Sequence, residues 1–125
     1  MQVEKKVSVA GEFVDKTKDI KDGDMVTIEN AGAVITGQYG NQNVFKVGLP
    51  NGEVKNLAFN QTSMNNLIDA YGEDTEEWVN KEVRLFVIKA AVSGKMTRIV
   101  YLADPSWAMS EGDDGSIIFS PETAL

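Results

Sequence analysis

The sequence predicts an all-β domain with one inserted helix, and three observations lead to this prediction. Two segments of the 125-residue chain each contain a pair of short β-forming runs joined by a tight turn. A single segment with helical spacing lies between these strand pairs. The residues before the first pair also alternate, which predicts one further strand. A chain of this length forms one domain with one hydrophobic core.

The first strand pair surrounds the turn Pro50-Asn51-Gly52. Residues 43–49 and 53–59 are rich in β-forming residues. Asn-Gly between such runs is the strongest local signal for a hairpin, because a type I′ turn needs positive φ at both central positions. We therefore predict a two-residue turn at Asn51-Gly52.

This turn sets the register of the first hairpin. It places Val47 opposite Asn56 on one face, and it places Lys46 and Lys55 together on the outward face. The same register would bury Asn56 and expose Leu57, so we also expect a β-bulge after Lys55. The outward lysines make this hairpin a first candidate for binding an anionic ligand.

A helix is predicted between the strand pairs, over about residues 62–71. Its apolar positions follow the spacing of one helix face, and they are Met64, Leu67, Ile68 and Tyr71. Gly72 follows them as a residue that ends the helix, because glycine readily takes the conformation needed there.

The second strand pair comprises residues 83–92 and 95–103, joined at Ser93-Gly94. A two-residue turn at this point places Lys89 directly opposite Arg98. Like charges at facing positions of a hairpin are destabilising unless an anion lies nearby. The pair therefore indicates an anion-binding position close to this turn.

Composition divides the chain into three parts. Residues 1–22 mix charges with isolated apolar residues and form an N-terminal arm, either as a short strand or as a loosely docked segment. Residues 23–104 form the folded domain, and their first strand begins at Met25 and bends at Gly32, because glycine within a strand marks a bulge or bend. Residues 105–125 lose all periodicity and are rich in Gly, Ser, Pro and acids. This composition predicts an acidic, flexible tail. The alternative is that the segment packs Trp107 and Ile118 back onto the barrel.

The predicted order of elements is a long bent strand, a hairpin, a helix and a second hairpin. This is the order of the OB-fold, a five-stranded Greek-key barrel with its helix between strands three and four. An SH3-like barrel is the main alternative, but it lacks an inserted helix of three turns. We therefore predict an all-β OB-fold barrel followed by the acidic C-terminal tail.

The run FNQTSMNNLIDAYGEDTEEWVNKEVRL resembles a segment of OB-fold proteins from phage and archaeal mobile elements. The shared features are an Asn-x-Thr helix start, a Gly-Asp-Asp-Thr-like loop, and a Trp-Ile/Val-Gly-Lys turn into a Val-x-Leu strand. The likeness covers residues 57–87 and departs at Asn80, where the pattern has glycine. It implies single-stranded DNA binding in replication or recombination, and structural roles for Trp78, Lys81 and Thr75.

Charge and composition narrow the function. The net charge is −7, and the chain contains neither histidine nor cysteine. Disulfides, thiolate metal sites and histidine-dependent catalysis are therefore excluded, and we expect a non-enzyme without cofactor or metal. Residues 42–60 and 81–103 together carry seven basic and two acidic residues, whereas residues 61–80 carry five acids and no base. The positive charge is thus concentrated on the two strand pairs.

The candidate nucleic-acid-binding set combines basic side chains of the strand pairs with one loop aromatic. Single strands bind in positive grooves that offer aromatic platforms for base stacking, and OB-folds use the face of strands two and three with the adjoining loops. The set is Tyr39, Lys46, Lys55, Arg84, Lys89, Lys95 and Arg98. The alternative interpretation is that these cations are solvated residues on strand surfaces. Phe86 is assigned to the core.

The expected function is largely sequence-independent binding of single-stranded DNA. The sequence does not distinguish DNA from RNA, or a monomer from a homo-oligomer. The alternative is an OB-fold adaptor that binds protein and no nucleic acid. The stretch from Glu111 to Phe119 places acids before an apolar tip, as do the peptides with which bacterial single-stranded DNA-binding proteins recruit partners. No apolar run could span a membrane and no signal peptide is found, so we expect a cytoplasmic protein.

Overall fold

The described part of the computed structural model, residues 11–37 and 40–121, contains eight strands. In chain order they are β1 (Met25–Ile28), β2 (Ala33–Gly37), β3 (Gly40–Gly48), β4 (Val54–Phe59), β5 (Glu82–Val92), β6 (Lys95–Ala103), β7 (Trp107–Glu111) and β8 (Ile117–Pro121). The helix α1 (Gln61–Tyr71) follows β4, and a 3₁₀ turn at Thr75–Trp78 precedes β5. The predicted all-β class, with a helix between two hairpins, is confirmed.

Strand β3 lies at the centre of the main antiparallel sheet. It pairs with β4 along one edge and with both β1 and β2 along the other. Strand β1 also pairs with β5, and β5 pairs with β6, so the strands run β4-β3-β1-β5-β6. Among the described residues no ladder joins β4 to β6, so a closed five-stranded barrel stays a prediction.

The predicted bend of the first strand lies between β1 and β2. Asn30 fixes this bend, because its Oδ1 accepts hydrogen bonds from the N–H groups of Gly32 at 3.1 Å and of Lys46 at 3.0 Å. Gly32 has a φ of 78°. A Cβ at this position would lie 2.5 Å from Cε2 of Phe45. The bend therefore requires a residue without a side chain.

Gly32→Ala is expected to lower the free energy of unfolding by about 2–3 kcal/mol, because it combines left-handed backbone strain with overpacking against Phe45. Urea unfolding followed by circular dichroism would measure the loss. Gly23→Ala is the matched control, since Gly23 also has positive φ but a Cβ added there would meet no atom within 4 Å. Equal losses in the two variants would show that contact with Phe45 contributes nothing.

The register predicted for the first hairpin is wrong by one residue. Val47 lies opposite Lys55, and the ladder continues without a bulge from Gly48 to Asn43. The loop has three residues instead of two, because residues 49–52 form a β-turn in which Pro50 is the second residue and the N–H of Gly52 donates to the carbonyl of Leu49 at 2.9 Å. Proline is favoured at this turn position, and Gly52 follows with a φ of 90°. The predicted bulge after Lys55 is therefore also wrong.

Residues 11–24 pair with the backbone of β4 and then pack against the core. The N–H of Val14 donates to the carbonyl of Asn56, and the N–H of Asn56 donates to the carbonyl of Glu12, both at 2.8 Å. The segment then buries Ile20 in the core and reaches β5, where the N–H of Gly23 donates to Leu85 at 2.9 Å. The described part of the segment assigned to the N-terminal arm therefore packs against the sheet. Residues 1–10 lie outside the described residues.

The register predicted for the second hairpin is confirmed. Strands β5 and β6 pair from Arg84–Ala103 to Val92–Lys95, with Leu85 opposite Leu102 and Lys89 opposite Arg98. The tight turn has positive φ at both Ser93 and Gly94, at 52° and 79°. These values are those that a two-residue hairpin turn requires.

The predicted helix is confirmed, with its first residue one position earlier than expected. Asn60 caps its N-terminus, since its Oδ1 accepts a hydrogen bond from the N–H of Ser63 at 2.9 Å, and Gly72 caps its C-terminus. The predicted apolar face packs on the main core through Met64, Leu67, Ile68 and Tyr71. Ser63 and Asn66 hydrogen-bond the backbone of Leu102 in β6, which fixes the helix to that strand.

The C-terminal segment forms a hairpin, and the prediction of a tail without regular structure is wrong for residues 107–121. Strands β7 and β8 pair antiparallel and pack on the outer face of β5 and β6. Phe119 contacts Phe86 and Tyr101, with ring centroids 5.2 and 5.3 Å apart. Trp107 is buried in the same second apolar cluster. Within the described residues, no helix combines the length and apolar character needed to cross a membrane.

Candidate nucleic-acid interface

The first predicted anion site, with Lys46 and Lys55 on one face of the β3–β4 hairpin, does not form, because Lys46 lies opposite Asn56 and Lys55 opposite Val47, and the two lysines point to opposite faces. The Nζ of Lys55 lies 3.0 Å from Asp19, 3.4 Å from Glu53 and 3.7 Å from Glu12, and the side chain is 16% exposed. The hydrogen bond to Asp19 raises the pKa of Lys55. Because three carboxylates already neutralise this ammonium group, Lys55 is poorly placed to bind a phosphate.

Lys46 is held in the same region. Its Nζ donates a hydrogen bond to Oδ1 of Asn56 at 3.2 Å, and its side chain is half-buried. Asn56 is fully buried because the segment from Glu12 to Val14 pairs with its backbone. The expectation that Lys46 and Lys55 lie together on an open face is therefore wrong, since the observed register places them on opposite faces and each contacts other protein groups.

Asp19→Asn is expected to destabilise the protein at neutral pH, because it removes the closest partner of Lys55. Hydrogen bonds from the Asp15 N–H and from Lys55 lower the pKa of Asp19 below its ordinary value of 3.8. A lowered pKa contributes stability above the unfolded-state pKa, and the contribution is lost as pH falls through the folded-state value. The difference in melting temperature between wild type and Asp19→Asn should thus be constant above about pH 5 and shrink below about pH 4.

Lys55→Gln is the control for this pH dependence. In the Lys55→Gln background, Asp19→Asn should have a smaller effect at neutral pH, because the ion pair is already absent. An unchanged effect of Asp19→Asn in that background would show that the ion pair does not fasten the N-terminal segment.

Two other members of the predicted set, Arg84 and Lys95, lie far from each other on the surface, and a third, Tyr39, lies outside the described residues. The guanidinium of Arg84 lies 4.7 Å above the ring of Phe86, on the face covered by the C-terminal hairpin. Lys95 is exposed at the tip of β5 and β6. Tyr39, predicted as the stacking platform, lies outside the described residues. Phe86 is buried as expected, but in the second apolar cluster rather than the main core.

Lys89 and Arg98 do come together, in the half of the β5–β6 hairpin nearer its turn. They face each other across the two strands, and with Lys16, Thr17 and Met96 they line a depression of about 390 Å³. Arg98 is oriented by its Nη1, which donates to the carbonyl of Lys16 at 3.2 Å. The N-terminal segment thus forms one wall of this depression.

Two further depressions adjoin the first and share Arg98 with it. One, of about 520 Å³, extends along β6 between the start of β3 and the junction of β4 with α1. The other, of about 210 Å³, is lined by Lys21, Asp22 and Lys89 among others. We call the three together the Arg98 groove, with Lys16, Lys21, Lys89 and Arg98 as its cations.

The charge of the Arg98 groove is opposite to that of the whole chain. Counted over the described residues, its lining contains four cations and one carboxylate, Asp22. The Oδ1 of Asp22 accepts a hydrogen bond from the N–H of Val87 at 2.9 Å. Local positive charge in a cleft attracts anions even when the net charge is negative.

Sequence reasoning missed Lys16 and Lys21, because the segment that carries them was separated from the domain as an arm. Their one sequence signal is the local density of lysine in KTKDIK, residues 16–21. Comparison of the chain with protein-family models, curated proteins and solved structures finds no match. A function is therefore inferred from the groove itself.

Proposed function

We propose that this protein binds single-stranded DNA in the Arg98 groove of an OB-like barrel. The observation that carries the proposal is the facing pair Lys89 and Arg98. Facing like charges destabilise a hairpin by up to about 1 kcal/mol. No salt bridge to either side chain occurs in the described part of the chain. A phosphate between the two cations would turn this repulsion into two attractions.

The arrangement of strands supports the same proposal. The order β4-β3-β1-β5-β6, with the helix between β4 and β5, is compatible with an OB-fold barrel opened between β4 and β6. The N-terminal segment lies at this opening, since it hydrogen-bonds Asn56 of β4 and Arg98 of β6. OB-folds bind oligonucleotides on the neighbouring strand face and loops. The Arg98 groove includes residues of β3, Asn41–Asn43, and Met96 near the turn between β5 and β6, which correspond to that strand face and those loops.

The shape of the groove favours a polymer over a small anion. Its three depressions form a continuous path past Arg98, with cations at more than one point along it. Met96, which is 69% exposed, offers an apolar surface beside the cations. A single strand combines regularly spaced phosphates with apolar base faces, and both features fit this path.

A salt titration with fluorescently labelled oligo-dT tests the proposal. Each neutralised phosphate contributes about 0.7 to the slope of log K against log salt for a single strand. Contacts from three or four groove cations should therefore give a slope of about −2 to −3. Absence of binding at low salt, or binding that does not respond to salt, would overturn the proposal.

The alternative, a protein-binding adaptor, has one observation in its favour. Val92 and Met96 are exposed apolar side chains near the tip of β5 and β6, at 50% and 69%, and they lie on opposite faces of the hairpin. A flat salt response would favour this adaptor function. The proposal does not extend to partner recruitment by the C-terminal segment, because Phe119 packs against Phe86 and Tyr101 and is engaged within the domain.

A further inference from the structure

We propose that the Arg98 groove distinguishes between nucleobases, by hydrogen bonds from carboxamide side chains that line it. This inference rests on the proposed function and departs from the expectation of sequence-independent binding. The largest depression is lined by five carboxamide residues, namely Asn41, Gln42, Asn43, Asn60 and Gln61. The one aromatic residue in its described lining, Phe59, is 4% exposed. A site for any base would instead present exposed aromatic faces, because every base has a π-face to stack.

Three of these carboxamides are wholly or partly engaged within the protein. Asn60 uses both ends of its side chain, to cap α1 and to donate to the carbonyl of Val100 at 2.9 Å. Gln61 donates through Nε2 to Asn65, and Asn41 accepts through Oδ1 from Thr36. These bonds fix the wall of the groove. They leave the Oε1 of Gln61 and the amino group of Asn41 without a hydrogen-bond partner among the described residues.

Gln42 and Asn43 are the two carboxamides available for a ligand. Neither side chain makes a hydrogen bond within the described part of the chain, although Asn43 is half-buried. Both residues lie on β3, whose backbone is fixed by ladders to β2 and β4. As consecutive strand residues they point to opposite faces of the sheet, so each would contact a ligand separately. A rigid strand that presents donors and acceptors without protein partners is suited to contact a polar ligand.

The ligand chemistry that fits is the edge of an unpaired base. A carboxamide carries a donor and an acceptor side by side, and unpaired bases expose their hydrogen-bonding edges in the same way. A base with the complementary pattern gains two bonds, whereas a mismatched base leaves polar groups unpaired. Well-placed bidentate pairs discriminate between bases by about 5- to 150-fold. Phosphates on the cations would then hold the strand while Gln42 and Asn43 each contact a different base.

The test measures binding to oligo-dT strands in which a central block is thymine, adenine, cytosine, guanine or abasic. Wild type should bind one base at least about 5-fold more tightly than the weakest base, and should bind the abasic block most weakly. In the double variant Gln42→Ala/Asn43→Ala the preference should collapse to within about 2-fold, with the salt slope unchanged. If this variant melts early, the two single variants carry the same test.

Arg98→Gln is the reciprocal control, because it should weaken binding to all strands equally, the abasic one included, and reduce the salt slope. Equal affinity of wild type for all four bases would overturn the inference, as would a preference that survives in the double variant. Both results leave the proposed function intact. Failure of the proposed function itself would appear as absence of binding to every strand.

Discussion

Arg98→Glu is expected to reduce the affinity for single-stranded DNA by at least about 100-fold. The change removes the guanidinium at the point where the three depressions meet, and the new carboxylate would pair with Lys89 across the hairpin. Two phosphate contacts are thereby lost, each a charged hydrogen bond of about 1.5–3 kcal/mol. The salt slope should become shallower by about 1.4, or 0.7 for each contact. Fluorescence anisotropy over a range of salt concentrations would measure both changes.

Arg98→Glu should raise the stability of the free protein although it weakens DNA binding. Replacing facing like charges by facing opposite charges stabilises a hairpin by up to about 1 kcal/mol, and the exposed bond from Arg98 to Lys16 is a small loss against this. Lys95→Glu is the matched control, with the same change in charge on the same strand but outside the groove. Equal weakening in both variants would indicate a general charge effect. Lost thermal stability with an unchanged salt slope would assign Arg98 a structural role.

The two hairpins show how far local sequence determines register. Ser93-Gly94 connects β5 directly to β6, and both residues take the positive φ that a two-residue turn needs, so the facing of Lys89 and Arg98 could be predicted. Asn51-Gly52 gives the same signal, but Pro50 precedes it and starts the turn one residue earlier. One extra loop residue shifts the register and exchanges the faces of the strand.

In the candidate site, contacts between residues close in sequence could be predicted, and contacts between distant residues could not. Lys89 and Arg98 meet through a ladder nine residues apart in sequence, which periodicity and turn chemistry determine. Lys55 meets Asp19 across 36 residues, and Arg98 meets Lys16 across 82. No local pattern indicates where a charged N-terminal segment will pack, so the contacts of Lys55 with Glu12 and Asp19 could not be predicted.

The C-terminal hairpin escaped prediction for a related reason. Its strands contain five residues each, and their surroundings are rich in glycine, serine and acids. Such composition usually indicates a segment that cannot bury enough apolar surface to fold. The required surface is supplied by Phe86 and Tyr101 of β5 and β6, on which Phe119 packs. The hairpin is thus stabilised by contacts that its own sequence does not show.

Trp78→Ala is expected to reduce the free energy of unfolding by about 3–5 kcal/mol. Trp78 is fully buried, its ring stacks on Phe45 with centroids 5.6 Å apart, and its Nε1 donates to the carbonyl of Gly72 at 2.9 Å. The variant would leave a cavity beside Phe45 and an unpaired carbonyl at the end of α1. Small domains have only about 5–15 kcal/mol in total, so urea unfolding should show a large fall in midpoint.

Trp107→Ala provides the comparison, because it removes the same side chain from the second apolar cluster. It should loosen the hairpin of β7 and β8, detected as faster hydrogen exchange there, while the main sheet keeps most of its stability. Trp78→Phe should fall between wild type and Trp78→Ala, since it keeps a ring beside Phe45 but loses the bond to Gly72. A loss below about 1 kcal/mol for Trp78→Ala would contradict the central position assigned to this side chain in the core.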